Sequence, residues 1–133
     1  MPGASPQRFL LDTNIVIALF AQEAAVLQPL SQAAEVFLPS IVLGELYYGA
    51  EKSARAEANV QRVNELAARS AILVCDTDTA HSYGQIKNQL RAQGKPLPEN
   101  DIWVAAFALQ HDLALVSRDA HFHEVAGISV VAW

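Results

Sequence analysis

The chain has 133 residues, of which 52% are hydrophobic and 17% are charged, a balance that supports a packed core and excludes a disordered protein. We expect a tail over residues 1–7 and a single domain over residues 8–133, since a chain of this length usually forms one domain. Fourteen acidic against nine basic residues give a net charge of −5, which argues against a protein that holds nucleic acid by bulk attraction alone.

The sequence also indicates a cytoplasmic protein. Cys75 is the only cysteine, so no intrachain disulfide can form, as is usual for proteins of a reducing compartment. Residues 1–7 have neither a basic start nor an apolar segment, and we therefore expect no signal peptide there. The apolar stretches are all shorter than the roughly 20 residues of a membrane span, so no membrane partner is expected.

The apolar pattern predicts short strands that alternate with amphipathic helices. The predicted strands cover residues 8–11, 36–38, 71–74, 113–116 and 128–131. The predicted helices cover residues 15–20, 41–48, 52–69, 77–93 and 102–109. Helix starts are expected to be capped by Thr13 and Asn14, by Ser40, by Asp76 and Thr77, and by Asn100, while Gly49 and Gly94 mark helix ends.

This alternation predicts the fold class. Parallel strands need helical crossovers, and both faces of a parallel sheet must be covered. We therefore expect a three-layer α/β/α sandwich with a mostly parallel central sheet. In such sheets ligands bind outside the carboxyl ends of the strands, so these ends are the place to look for a site.

Four acidic residues stand at such places or alone in apolar segments. Asp12 is the only charge between residues 9 and 20 and follows the first strand, and Asp119 comes three residues after the strand over residues 113–116. Asp101 opens a helix, where free backbone N–H groups and the helix dipole favour a carboxylate by about 0.3 to 1 kcal/mol. Glu45 is the only charge in residues 36–50 and needs a partner or a metal, since burying it unpaired is costly.

Each acid also has an ordinary interpretation. Asp12 and Asp101 could be helix caps or first-turn acids, and for Asp101 taken alone this interpretation is favoured. Asp119 could be a turn residue, and Glu45 could be paired with an arginine such as Arg118. The joint pattern of four acids favours a shared site instead.

Clustered carboxylates repel one another and stay ionised only if a cation lies among them. Oxygen ligands without nitrogen or sulfur select Mg²⁺ or Mn²⁺. Such an ion can activate a water and stabilise charge at a phosphate group, so phosphodiester hydrolysis is the chemistry that this pattern indicates.

Several segments together resemble a known family. They are Leu10-Leu11-Asp12-Thr13-Asn14, Gly44-Glu45-Leu46 followed by Tyr48-Gly49, Asn100-Asp101-Ile102 ahead of an alanine-rich helix, and Leu115-Val116-Ser117-Arg118-Asp119 with Phe122. In this order and at this spacing they resemble the PIN-domain ribonucleases, and among these the VapC toxins of bacterial toxin–antitoxin pairs. The resemblance runs from about Phe9 to the end of the sequence.

The resemblance implies that Asp12, Glu45, Asp101 and Asp119 are the catalytic acids and hold Mg²⁺, or Mn²⁺ in its place. Asn14 and Ser117 would be polar groups that support these carboxylates; threonine is commoner than serine at the latter position, but the hydroxyl is kept. Asp119 is the acid that varies most in the family. The resemblance also implies a metal-dependent endoribonuclease, a homodimer, a VapB-type antitoxin that blocks the site, and structured RNA, often tRNA, as substrate.

Basic residues and histidines could add to this site. Lys87, Arg91 and Lys95 recur every four residues without acidic partners on their own helix and are predicted to contact RNA phosphates. Arg118, between two site residues, is predicted to meet a scissile phosphate or to brace a carboxylate. His121 and His123 have a spacing that can bind zinc, but without further zinc ligands nearby they are better explained as solvated or supporting histidines.

Three alternatives belong to other classes. A receiver-like phosphoacceptor domain would need paired acids after the first strand and a late lysine, whereas Asp12 stands alone and no lysine follows Lys95. A phosphatase of the haloacid-dehalogenase type would need a second acid where Asn14 stands. A catalytically silent binding module is the third alternative, and failure to bind Mn²⁺ would support it.

Overall fold

The computed structural model describes residues 8–133, so the tail predicted over residues 1–7 lies outside the described residues. Five strands run over β1 (Arg8–Leu11), β2 (Glu35–Pro39), β3 (Ala71–Leu73), β4 (Ala114–Val116) and β5 (Val130–Val131). The α-helices of this part of the chain are α1 (Thr13–Phe20), α2 (Ala24–Gln32), α3 (Ser40–Glu51), α4 (Ala56–Arg69), α5 (Thr77–Ala92) and α6 (Glu99–His111). A short 3₁₀ helix (Ala120–Glu124) lies between β4 and β5.

The five strands form one parallel sheet in the order β3-β2-β1-β4-β5. The chain first adds β2 and β3 on one side of β1 and then adds β4 and β5 on the other side. The strand order therefore reverses between β1 and β4, and a crevice forms at the carboxyl ends of these two strands. The predicted three-layer α/β/α sandwich with a parallel sheet is confirmed.

The core fixes both the central strands and helix α6. Leu10 of β1 and Leu115 of β4 are fully buried. In α6 the buried positions follow one another almost without interruption over residues 102–108, which is the pattern of a helix covered on nearly all sides. The residues at the start of α6 are consequently held by a core that cannot shift without loss of packing.

Two helix starts differ from those predicted. Helix α1 begins at Thr13, and Asp12, rather than Thr13 or Asn14, is its N-cap, since the Asp12 side chain accepts a hydrogen bond from the Thr13 N–H. Helix α3 begins at Ser40 itself after Pro39, with no side-chain cap. A proline can precede a helix without a capping bond because its fixed backbone angle already suits the helix start.

Later helix limits also differ. Helix α6 begins at Glu99 after Pro98, so Asn100 lies inside the helix and is not its cap. Helix α3 continues past Gly49 to Glu51, and the helix predicted over residues 52–69 begins only at Ala56. In contrast, the predicted cap of α5 is confirmed, since Asp76 accepts a hydrogen bond from the backbone N–H of Thr79.

Helix α2 was not predicted. It contains Pro29 and buries only Val26, so it has a helix-breaking residue and lacks a clear apolar stripe. Among the described residues no single helix is long and apolar enough to cross a membrane, although α1 and α2 taken together reach that length and composition with a bend of 105° between them.

Candidate active site

Asp12 lies at the centre of the candidate site. It directly follows β1, and its backbone N–H continues the sheet by donating to the carbonyl of Val116 at 3.0 Å. The residue is only 6% exposed, and its carboxylate accepts hydrogen bonds from the Thr13 N–H at 2.9 Å and from the Ser117 hydroxyl at 2.7 Å. The Asn14 amide donates to the same carboxylate at 3.4 Å. These donors hold the Asp12 side chain in one orientation.

A polar network joins the ends of β1 and β4. The Ser117 hydroxyl, which donates to Asp12, also accepts a hydrogen bond from the Asp119 N–H at 3.0 Å. The Asn14 amide donates to the Ser117 hydroxyl at 3.3 Å, and its oxygen accepts from the Arg118 N–H at 3.2 Å. Asn14 and Ser117 therefore fix the segment that carries Asp119 relative to Asp12.

Glu45 reaches the site from α3. Its Oε1 accepts a hydrogen bond from the Thr13 hydroxyl at 2.5 Å, which ties the second turn of α3 to the start of α1. The alternative in which Glu45 pairs with Arg118 is wrong. Arg118 instead donates to Glu23 and to the backbone carbonyl of Trp133, each at 2.9 Å, so it braces a carboxylate outside the acidic cluster.

Asp101 lies in the first turn of α6 and is half-buried. Its removal from water is the largest cause that raises its pKa, and the negative charges of Asp12, Asp119 and Glu45 raise it further, to about 6. These three charges act on Asp101 because the four carboxylates lie near one another, although four different segments supply them. The four acids that the sequence singled out thus lie near enough for the charges of three to act on the fourth, although in the described part of the chain no three of them are arranged to hold a metal ion by themselves.

Burial also raises the pKa of Asp12, and the charges of Glu45 and Asp119 act in the same direction. The hydrogen bonds from Ser117 and Thr13 oppose this effect, because they stabilise the ionised carboxylate. The network around Asp12 therefore favours a charged carboxylate in a position where burial and its neighbours disfavour one.

Asp119 caps the 3₁₀ helix that follows β4. Its Oδ1 accepts a hydrogen bond from the His121 N–H at 2.9 Å, and the His121 Nδ1 lies 3.0 Å from the same oxygen. The exposed His121 ring is thus a partner of Asp119. His123, which the sequence paired with it, is exposed on the same short helix.

The donor set suits a hard cation that keeps much of its water. Among residues 8–133 no group of three or more His, Cys, Asp or Glu side chains is arranged to hold a metal ion by itself. Mg²⁺ does not require such a cage, because it usually binds through one or two carboxylates, several waters and phosphate oxygens of the substrate. Neighbouring carboxylates raise the pKa of Asp12 and of Asp101, and in the described part of the chain no cationic side chain is paired to Asp12, Glu45 or Asp101. Such an arrangement suits a bound cation of this kind.

The basic residues differ in part from the expectation. Lys87 and Lys95 do not lack acidic partners: Lys87 lies 2.9 Å from Glu99, and Lys95 lies 2.7 Å from Glu124. Arg91 has no carboxylate within ion-pair distance among residues 8–133. The spacing rule missed the two partners because they lie on other segments and not on the same helix. Contact of these three residues with RNA stays a prediction.

Two residues at the site had not been singled out for the contacts they make. Thr13 was expected only as a helix cap, yet its hydroxyl connects α1 to Glu45. Glu23, the partner of Arg118, lies at the N-cap of the unpredicted helix α2. No local pattern singled out Glu23, because the helix that it caps contains a proline and has no clear apolar stripe.

Known proteins resemble this chain over nearly its whole length. The family model of the PIN domain matches residues 9–128. The chain is 37% identical over 129 residues to "Ribonuclease VapC2" of Haemophilus influenzae, and the alignment covers 95% of this chain and 98% of the relative. It is 32% identical over 130 residues to "tRNA(fMet)-specific endonuclease VapC" of Shigella flexneri, with the same coverage of 95% and 98%. The solved structure of DNA-bound VapBC from Salmonella typhimurium superposes with a TM-score of 0.88 at 30% identity, covering 95% of this chain and 98% of that one.

Proposed function

The chain belongs to the PIN-domain family and is a ribonuclease of the VapC type, and we propose that it is an endonuclease that hydrolyses structured RNA with Mg²⁺ or Mn²⁺. The observation that carries the proposal is the placement of Asp12 and Asp119 after the neighbouring strands β1 and β4, where both contact Ser117. Glu45 is tied to the same place by Thr13, and Asp101 lies near enough for the other three charges to act on it. Membership of this family sets aside the receiver-like and phosphatase-like alternatives.

Asp12, Glu45, Asp101 and Asp119 would hold the ion, one or two of them directly and the others through its bound waters. When bound, the ion would activate a water and stabilise negative charge on the phosphate that is attacked. Ser117 and the Thr13 N–H orient Asp12 and favour its ionised form. When no cation is present, the pKa of Asp101 is raised to about 6.

The partners that we propose for this chain are argued from its similarity to the VapC proteins. The relatives of known structure include VapBC complexes, and we propose a VapB-type antitoxin as the partner of this chain and a homodimer as its assembly. We propose tRNA as the RNA, because the Shigella flexneri relative is a tRNA(fMet)-specific endonuclease. Sequencing of RNA 5′ ends after brief expression would identify the bond that is cut.

Removal of a single charge tests the acidic cluster. Loss of a group that merely supports a metal ligand typically costs about 10- to 100-fold, so Asp12→Asn and Glu45→Gln should each lower RNA cleavage in Mn²⁺ by at least about 100-fold. Both variants should also abolish the growth arrest that the wild-type chain causes when it is expressed without its antitoxin.

Asp112→Asn is the matched control. It makes the same chemical change at an exposed residue in the left-handed region, φ 54°, which asparagine tolerates. Cleavage by this variant should equal that of the wild type. A wild-type rate in Asp12→Asn or Glu45→Gln, with melting temperatures unchanged, would exclude the acidic cluster as the catalytic site.

A further inference from the structure

We infer that a cleft beside Glu45, between α3 and the start of α6, binds an unpaired nucleotide of the RNA by stacking its base on Tyr48 and placing its phosphate near Lys52. This inference rests on the proposed function, since it assigns a binding subsite to the same ribonuclease. Tyr48, Lys52 and the cleft are three separate observations that lead to it.

Tyr48 is an aromatic side chain that does not pack against the core. Its neighbour Tyr47 is half-buried and donates its hydroxyl to Asn64 of α4 at 2.6 Å, so Tyr47 joins α3 to α4. Tyr48 is 67% exposed, and its hydroxyl has no hydrogen-bond partner among residues 8–133. An exposed aromatic face on a folded helix is the type of surface on which single-stranded nucleic acids stack their bases.

Lys52 supplies a cation at the same place. It follows Tyr48 by one helical turn, and its Nζ lies 4.8 Å from the centre of the Tyr48 ring. Within the described part of the chain no carboxylate lies at ion-pair distance from Lys52, unlike Lys87 and Lys95. In a chain with a net charge of −5, a cation free to meet a phosphate next to the acidic cluster favours binding of a polyanion there.

The cleft connects this pair to the catalytic acids. It has a volume of about 630 Å³, and Glu45, Tyr48, Lys52 and Asn100 are among its lining residues. This volume is within the range of about 300 to 1,000 Å³ that small-ligand sites typically have. The wall is open at Gly44, where an added Cβ would meet no atom within 4 Å. Asn100 precedes Asp101 and brings an amide, which can both donate to and accept from the edge of a base.

An apolar peptide would find a better place on the other side of Glu45. There a second cleft of about 410 Å³ is lined by apolar side chains that include Ile17, Phe20 and Val63. The Tyr48 cleft instead combines an aromatic face, an unpaired cation and an amide. This combination matches a nucleotide better than an apolar peptide.

Steady-state cleavage of a fluorescently labelled RNA hairpin with an unpaired loop, in Mn²⁺, tests the subsite. Tyr48→Leu should raise KM by about 10-fold or more and change kcat by less than about threefold, because stacking binds the substrate and does not act on the phosphate. Tyr48→Trp should restore the KM, since it keeps an aromatic face. Lys52→Gln should raise KM and lower the dependence of log affinity on log salt by about 0.7, as expected for loss of one phosphate contact on a single strand.

Tyr47→Leu is the control variant: it should lower the melting temperature through loss of the bond to Asn64 and leave KM unchanged. Binding of the same RNA to the Asp12→Asn background, measured by fluorescence anisotropy, separates this inference from the proposed catalysis. Loss of affinity on Tyr48→Leu in that background supports the subsite even if the wild type does not cleave. An unchanged RNA affinity and KM, or weakened binding of the antitoxin alone, would overturn it.

Discussion

The pKa of Asp101 is determined by two opposing influences, the start of helix α6 and the surroundings of the carboxylate. The free N–H groups at the start of α6 favour an ionised carboxylate, but burial and three neighbouring carboxylates outweigh them and raise the pKa to about 6. Since the folded-state pKa lies above the ordinary value of 3.8, the folded protein binds this proton more tightly than the unfolded chain does. The associated stability is fully present below about pH 4 and is lost as the pH rises through about 6.

The raised pKa of Asp101 predicts how the stability of the metal-free protein depends on pH. Asp101→Asn keeps the shape of the side chain without its charge, and we expect it to raise the free energy of unfolding at pH 7.5 by about 2 kcal/mol, at roughly 1.4 kcal/mol for each pKa unit and reduced for partial exposure. At pH 4 the variant and the wild type should be equal. Urea titrations in EDTA at the two pH values measure the difference.

Addition of Mn²⁺ at pH 7.5 serves as the control, because it should stabilise the wild type more than Asp101→Asn. Other carboxylates, such as Asp76, have lowered pKa values and contribute in the opposite direction, so only the difference between the two proteins is informative. An identical pH dependence of both proteins would show that the Asp101 carboxylate is not under electrostatic strain.

At the scale of elements, the sequence predicted what depends on local pattern. Strands β1 and β4 could be found because short apolar runs end at Asp12 and Ser117. That β1 and β4 are adjacent in the sheet could be expected only in general terms, since no local pattern sets the strand order. The pairing of Arg118 with Glu23 could not be found, because it depends on a helix that contains a proline and buries little.

Of the predicted RNA contacts, Lys87 and Arg91 lie on helix α5 and Lys95 follows shortly after its end, and the structure distinguishes the three. Lys87 and Lys95 are already paired with carboxylates, whereas Arg91 has no such partner in the described residues. If this helix binds RNA, Arg91→Gln should lower the slope of log affinity against log salt by about 0.7 to 0.9, the value for one lost phosphate contact.

Lys87→Gln and Lys95→Gln should change that slope less, since each lysine must first leave its carboxylate. Glu99→Gln is the matched test, because it frees Lys87 and should strengthen RNA binding slightly. The slopes can be measured by fluorescence anisotropy of labelled RNA between 50 and 200 mM salt. Equal, unchanged slopes in all four variants would remove α5 from the RNA interface.

At the scale of the whole molecule, the sheet order makes the site. Asp12 and Ser117 are 105 positions apart in sequence and yet share a hydrogen bond of 2.7 Å, because β4 returns to pair beside β1. The segment after β4 is anchored by Phe122, which is fully buried, and the same short helix is capped by Asp119. Packing of the core and placement of Asp119, a proposed catalytic acid, therefore depend on the same few residues.

This coupling predicts that a core change near Asp119 affects catalysis beyond its effect on stability. Phe122→Leu should lower the free energy of unfolding by about 1 to 2 kcal/mol and also reduce RNA cleavage at 25 °C, where the protein remains folded, because the cap of the 3₁₀ helix shifts. Phe107→Leu makes the same change at an equally buried residue of α6, more than one helical turn away from Asp101. It should cost similar stability in urea titrations and leave the cleavage rate per folded molecule unchanged. Equal rates in the two variants would mean that Asp119 is positioned without help from the core.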